Sequence, residues 1–301
     1  MQSRWSDPFF AWDSHLSRLI TSRKCLSRSP MALNTTQESE KYWDSVSREW
    51  RRTSPDDLWR EHCDGLYEAL LSGWVAPGAR RLLKTDLFDE SLAKGLLPQL
   101  STLSKQLFGI DLSHRTARRA TAHHRLRNSC NCDVRSLPFE SGAFDLVISN
   151  STLDHFESRA EIATSLKEIA RVLEPGGELI LTLDNLSNPV IRLRHRLPFE
   201  WLKRLSIVPY FVGETLRVDE ADEMLTSLGF EILDVSTLMH FPRVVSIFVA
   251  RHVGKTRFRS QFLRGLNAFE KVGGWRSRFV TAHYFAIRAR KKIPAAAEPV
   301  D

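Results

Sequence analysis

Cys132–Phe156 reads CDVRSLPFESGAFDLVISNSTLDHF, and Val172–Asp184 reads VLEPGGELILTLD. Phe144–Ser149 is a short, nearly continuous apolar run between Gly142 and Asn150, the mark of a strand covered on both faces. Arg159–Leu173 repeats its apolar residues at helical spacing. Pro175-Gly176-Gly177 then ends the helix, the glycines supplying the backbone angles of a tight turn. Glu178–Leu183 is a second apolar strand. Strand, helix, turn and strand in this order specify a parallel sheet with helices packed against it. Right-handed crossovers bring the carboxyl ends of such strands to one edge.

The pattern continues on both sides. Glu38–Trp74 is helical, with Tyr42, Val46 and Trp50 on one stripe and Leu58, His62, Leu66, Leu70 and Trp74 on another, the second opening at the start signal Ser54–Asp57. Arg81–Leu87 reads as a strand, and Glu90–Gln106 as a helical stretch interrupted near Gly95 and Pro98. Leu107–Ile110 is a strand closed by Asp111. Ser113 caps a helix over His114–His124, and a weak strand lies within Leu126–Cys132. Residues 186–216 are irregular and aromatic-rich. Val218–Leu228 is a helix stopped by Gly229, and Phe230–Ser236 a strand. Val244–Lys271 is basic and amphipathic, and Phe279–Arg288 is the last strand. The expected class is α/β, a Rossmann-like doubly wound sheet.

An Asp ahead of Leu137-Pro138-Phe139, the Phe-Asp-Leu-Val-Ile strand, the helix and the Pro-Gly-Gly turn together resemble the second half of a class I, type 11-like S-adenosylmethionine (SAM) dependent methyltransferase. The likeness extends from about Ala79 to Arg290. It implies seven strands, mostly parallel with an antiparallel C-terminal strand, a helical N-terminal cap over the cofactor cleft, and SAM as cofactor. In chain order the expected parts are an extension over 1–31 (or a start assigned too early, with Met31 opening the functional chain), the cap over 32–78, the methyltransferase domain over 79–290 with 186–216 on the substrate side, and a frayed tail over 291–301.

One departure stands out. Where the family carries a glycine-rich turn after the first strand, this chain reads Lys84-Thr85-Asp86-Leu87-Phe88-Asp89-Glu90. SAM offers an ammonium, a carboxylate and a sulfonium. Asp86, Asp89 or Glu90 suits the ammonium, and Lys84 or Thr85 the carboxylate, through charge-assisted hydrogen bonds. The same acids would repel a dinucleotide's pyrophosphate, which weighs against NAD. Asp111, closing a strand, can accept from both ribose hydroxyls; the competing role is a helix-dipole partner. The resemblance assigns Asp133 to the adenine amine and Val134 to the ring, against a plain pairing of Asp133 with Arg135. Asn150 is a candidate contact for the methionine portion or the acceptor. Asp154 and His155 form a candidate acid/base pair, although a His here more often simply packs.

Composition bounds the rest. The chain has 301 residues, 42% hydrophobic and 26% charged, with a net charge of +7. That is ordinary for a globular protein. No apolar run approaches the ~20 residues of a membrane span. Thirteen Lys/Arg against one acid between Pro242 and Lys292 make either a solvated basic face or a surface for an anionic partner. The four cysteines fit neither a disulfide framework nor a zinc pattern, and no metal is expected; free thiols suit a reducing cytoplasm. The expected reaction is methyl transfer by direct in-line attack of a small or amphiphilic apolar acceptor (a quinone, lipid or secondary metabolite). Peripheral contact with a membrane surface would run through Val244–Lys271. No nucleic-acid partner is expected, because no binding module is recognisable and the Asn-Pro-Pro-Tyr type motif is absent after Ile148. The alternative is a methyltransferase-fold protein that has lost SAM binding and serves as a partner or scaffold.

Overall fold

The computed structural model describes residues 30–53, 57–205, 207–254 and 256–294. Nearly all of the expected extension, most of the tail, and Ser54–Asp56 of the start signal lie outside the described residues. Two helices, α1 (Pro30–Thr53) and α2 (Asp57–Trp74), precede β1 (Ala79–Lys84), α3 (Phe88–Leu92), α4 (Leu97–Leu103), β2 (Ser104–Asp111), α5 (His114–His124) and β3 (Asn128–Asn131). Then come β4 (Phe144–Asn150), α6 (Arg159–Val172), β5 (Leu173–Asp184), α7 (Pro189–Arg196), α8 (Phe199–Arg204) and α9 (Val218–Ser227). The chain closes with β6 (Phe230–Leu238), α10 (Arg243–Val253), α11 (Arg259–Phe269), α12 (Arg278–Thr281) and β7 (Tyr284–Lys291). The seven strands form one sheet in the order β3-β2-β1-β4-β5-β7-β6. Among the described strands, β7 alone runs opposite to the other six.

Period-two alternation builds a core on each side of this sheet. Leu83, Val147, Leu179, Leu181 and Ile287 face α6 and α9 through Leu166, Ile169, Ala221 and Leu225. Leu82, Leu146, Ile148, Ile180 and Ala286 face the other way, against Leu70 and Leu71 of α2, Leu100 of α4, Ala250 of α10 and Leu266 of α11. Helix α6 starts where its capping box dictates, with Ser158 accepting from the Glu161 amide and the Glu161 carboxylate accepting from the Ser158 amide.

Several boundaries differ from the sequence reading, each for a local reason. The second strand begins at Ser104, since Ser104 and Gln106 pair with Ala79 and Arg81 of β1. The stretch before it is two short helices, broken at Gly95 with φ +53°. Pro98 does not interrupt; it occupies the first turn of α4, where its missing N–H costs nothing. The insertion is not wholly irregular, because α7 and α8 fall within it. The last strand starts at Tyr284 instead of Phe279. The carbonyls of Phe279, Thr281 and Ala282 are taken by the Asn185 and Asn188 side-chain amides, so they are not free for a ladder.

The insertion is tied to the sheet by charge. Asp184, at the end of β5, is buried with Arg194 of α7 bound to one carboxylate oxygen and His283 Nε2 3.2 Å from the other. Burial would raise this carboxyl, but Arg194 and His283 outweigh it and hold it well below the usual range. Replacing Arg194 by Met strands a buried charge, which should destabilise the fold by about 3–5 kcal/mol. The expected signature is a lower urea midpoint with an unchanged slope. Adding Asp184→Asn should recover most of the loss.

Candidate active site

The strand order reverses between β1 and β4, where parallel sheets open a crevice beyond their carboxyl ends. A cavity of about 550 Å³ lies there, within the usual size of small-ligand sites. Ten of the residues singled out in the sequence line it: Lys84, Thr85, Asp86, Asp89 and Glu90 at and after the end of β1, Asp111 at the end of β2, Asp133 and Val134 after β3, and Asn150 and His155 at and after the end of β4; Asp154 does not. Tyr42, Trp43 and Trp50 of α1, and Trp59, Cys63 and Tyr67 of α2, line it from the other side.

The glycine-free turn is built on a buried charge. Lys84 Nζ donates to the Asp86 carbonyl at 2.8 Å, to Asp86 Oδ2 at 3.2 Å and to Glu90 Oε2 at 3.1 Å. Glu90, fully buried, also accepts from the Leu96 amide at 3.0 Å. Burial would lower the ammonium, but Asp86, Glu90 and Asp89 hold it above its ordinary value. All three Nζ protons are therefore used within the protein, and Lys84 fixes the turn instead of reaching for a ligand's carboxylate. Leu87 turns inward and packs under β2, where a Cβ on Gly109 would sit 2.7 Å from Leu87 Cδ2 and 3.0 Å from Leu126 Cδ2. The space a glycine provides is thus present, but on the neighbouring strand.

Asp111 stitches the two strand ends together. Oδ2 accepts from the Leu87 amide at 3.0 Å and Oδ1 from the Ser113 amide at 2.8 Å. Each oxygen keeps a second lone pair, and the residue borders the cavity. Burial lifts its pKa to about 7, against the two amides. Asp133 is gripped on both oxygens by Arg135, with Nε at 3.0 Å from each. Its pairing with Arg135 is the one weighed against adenine contact, and an adenine amine would have to use the remaining lone pairs. Thr85 Oγ1 meets Ser149 Oγ at 3.1 Å and Thr152 Oγ1 at 3.0 Å. His155 is held at Nδ1, 3.1 Å from the Phe211 carbonyl, and its ring lies 4.9 Å from Trp43 and 5.4 Å from Tyr210. Its Nε2 lies 3.8 Å from Asp154, a distance too long for the expected acid/base pair to be a direct hydrogen bond.

Comparison with known proteins bears on the fold. Residues 92–181 match the family model described as a methyltransferase domain. A SAM-dependent methyltransferase structure from Methanosarcina mazei superposes with a TM-score of 0.51 at 19% identity, covering 74% of this chain and 97% of that one. A chain from a complex of the Haloferax volcanii Trm112 methyltransferase activator gives 0.54 at 14% identity, covering 87% and 99%. This is the class I methyltransferase fold. Among sequence relatives, an Encephalitozoon cuniculi protein named as a methyltransferase is 41% identical over 116 residues, 35% of this chain and 53% of its own length. The human "Probable tRNA methyltransferase 9B" is 42% identical over 50 residues, 17% of this chain and 11% of its own. This chain therefore spans only a small part of the tRNA methyltransferase relatives it matches.

Helix α2 and three later segments supply cavity residues that the sequence reading did not single out for the site. Asp64 and Arg60 of α2, Tyr210 of the insertion, Arg243 at the head of α10 and Tyr284 at the start of β7 all line the cavity. Asp64 is pushed up to about 7, first by burial and then by Asp89. The aromatic richness of 186–216 was the signal for Tyr210. Arg243 had none of its own, because twelve other cations surround it in sequence. The fold makes one demand that can be tested directly. Gly109→Val should overpack the Leu87 site and cost about 1–3 kcal/mol in urea unfolding. Leu87→Ala in the same chain should return part of it.

Proposed function

We propose that the protein is a SAM-dependent methyltransferase acting on a small or amphiphilic acceptor with an apolar body. The observation that carries this reading is the convergence at one crevice of Asp111, with two free lone pairs, and an acid-rich turn at Asp86 and Asp89, under an aromatic roof. The residues fit the cofactor's chemistry. Asp111 would accept from the ribose hydroxyls, Val134 would pack on the adenine, and Asp86 and Asp89, with Asp64 opposite, would face the ammonium. When bound, SAM supplies an electrophilic methyl on a sulfonium, so the chain's own work is alignment and exclusion of water. Trp43, Trp50 and Tyr210 close the cavity from above, with rings 5.8 Å and 5.4 Å from Tyr210. Asn150 lines the cavity and would orient the reacting groups. His155, fixed between Trp43 and Tyr210, would shape the acceptor side. No general base is assigned.

The acceptor class rests on the aromatic roof. The relatives named as tRNA methyltransferases keep RNA open as an acceptor. A cyclase, SpnF, shares the fold with a TM-score of 0.50 at 20% identity, covering 76% of this chain and 80% of its own. Fold alone therefore does not set the reaction. Incubating the protein with methyl-labelled SAM and either a small-molecule extract or total RNA separates these readings by where the label appears. Label in the small-molecule fraction supports the proposal, and label only in RNA overturns the acceptor class. Calorimetric titration with S-adenosylhomocysteine (SAH) tests the cofactor, and folded protein that binds none is the scaffold alternative.

Asp111 adds a pH signature. Its carboxyl sits near pH 7 in the free protein, and hydroxyl donors favour the ionised form. SAH should therefore bind more tightly at pH 8 than at pH 6, affinity falling as the carboxyl takes up its proton. Asp111→Asn should weaken binding about tenfold, the loss of roughly one charge-assisted hydrogen bond, and flatten most of that slope. An unchanged affinity and slope would refute the ribose role.

A further inference from the structure

Among the described residues, four Lys and Arg side chains line the cavity: Arg60, Lys84, Arg135 and Arg243. Three are committed. Arg60 pairs with Asp89, Lys84 with Asp86 and Glu90, and Arg135 with Asp133 and Glu161. Arg243 differs: among the described residues no carboxylate lies within ion-pair distance of it. Its neighbours are the phenols of Tyr210 and Tyr284. The buried carboxylate that acts on it through the fold, Asp184, is itself bound by Arg194. The rest of this end of the cavity is apolar or aromatic, with Trp59, Cys63, Tyr67 and Met239. A half-buried guanidinium without a counter-ion, ringed by tyrosines, is an uncompensated charge that a bound anion would neutralise.

We propose that Arg243 is the anchor of the acceptor pocket, and that the acceptor carries a carboxylate on a flat apolar body held among Tyr67, Tyr210 and Tyr284. The inference rests on the methyltransferase reading and narrows its substrate class. The charge layout separates the two ligands. The acids Asp86, Asp89 and Glu90 belong to the turn after β1 and Asp64 to α2 beside it, which suits the cofactor's ammonium, whereas Arg243 enters from the head of α10. A guanidinium offers a fixed fork that matches a carboxylate on two bonds, which a lysine cannot reproduce. Arg243 would therefore select acceptors by charge and set their orientation toward Asn150.

The probes are benzoate, benzyl alcohol and benzylamine, titrated into the full-length protein by calorimetry and ligand-observed NMR, with and without saturating SAH. Benzoate should bind about ten- to a hundredfold more tightly than benzyl alcohol, the value of a hydrogen-bonded charge, and benzylamine should not bind. Arg243→Met should erase the preference while leaving the SAH dissociation constant within about twofold. Arg243→Lys should keep part of it, and decides the matter if the Met variant does not fold. Benzoate binding no tighter than benzyl alcohol overturns the proposal. So does a loss of SAH affinity in Arg243→Met as large as the loss for benzoate, which would make Arg243 a cofactor ligand. Failure of the wild type to bind SAH, with benzoate selectivity intact, rejects the methyltransferase reading and leaves the anion site standing.

Discussion

The buried ion pair between Lys84 and Glu90 is the constraint on which the turn after β1, and with it one wall of the cavity, depends. A glycine-rich turn brings ligand and backbone together by omitting side chains. Here the turn keeps its side chains and is pinned from beneath by an ammonium with two carboxylates and a carbonyl around it. Removing such charges from water costs several kcal/mol per ion, offset only because every Lys84 proton has an acceptor and Glu90 also takes the Leu96 amide. The need for glycine does not disappear; it moves. Gly95 must be bare because a Cβ there would lie 2.6 Å from Glu90 Oε1, and its φ of +53° suits glycine as well. Gly109 must be bare to admit Leu87.

That displacement explains what could be read from the chain. The block from Phe144 to Asp184 was legible because each element obeys a local rule: two-face burial for β4, the capping box for α6, and Gly176 at φ +82° where β5 shifts its register against β4. Asp111 and Asp133 were legible as polar residues at strand ends. The part played by Lys84 was not, because its partner Glu90 lies on a following short helix and the pairing depends on how that helix folds back. Pairing of Asp133 with Arg135 was foreseeable from adjacency and is what the structure shows. Arg243 was hidden in a basic run whose other members carry no comparable contact with the cavity. Charge counting marks a region, and only topology selects the residue that turns inward.

The cavity is electrically uneven, and this follows from the sheet order. The turn after β1 and the helix α2 above it carry the acids, whereas the far end is closed by β7, α10 and the insertion, which carry tyrosines and one uncommitted guanidinium. On the proposed reading, a cofactor's ammonium would be drawn to the acids and an acceptor's carboxylate to Arg243 before any shape recognition. The aromatic rings between them lower the local dielectric and strengthen both attractions.

The insertion cannot be regarded as a loose cover on this site. Glu214 and Gly213 donate their amides to the Phe156 and Asp154 carbonyls at 2.7 and 2.8 Å. A Cβ on Gly213 would stand 1.9 Å from the Phe156 carbonyl oxygen, so no other residue fits without parting the two backbones. The Phe211 amide donates to the Tyr42 phenol at 2.6 Å, while its carbonyl faces His155. Asp184 and Arg194 fix the insertion's other limb to β5. The segment that carries Tyr210 is therefore clamped at both ends, to the loop after β4 and to the sheet. Among the described residues, the middle of the insertion around α8 bears no such clamp, and Trp201 and the adjoining Leu205 are exposed there. The tyrosine end of the cavity is then preorganised, and an acceptor binding there would spend little of its affinity on ordering the protein.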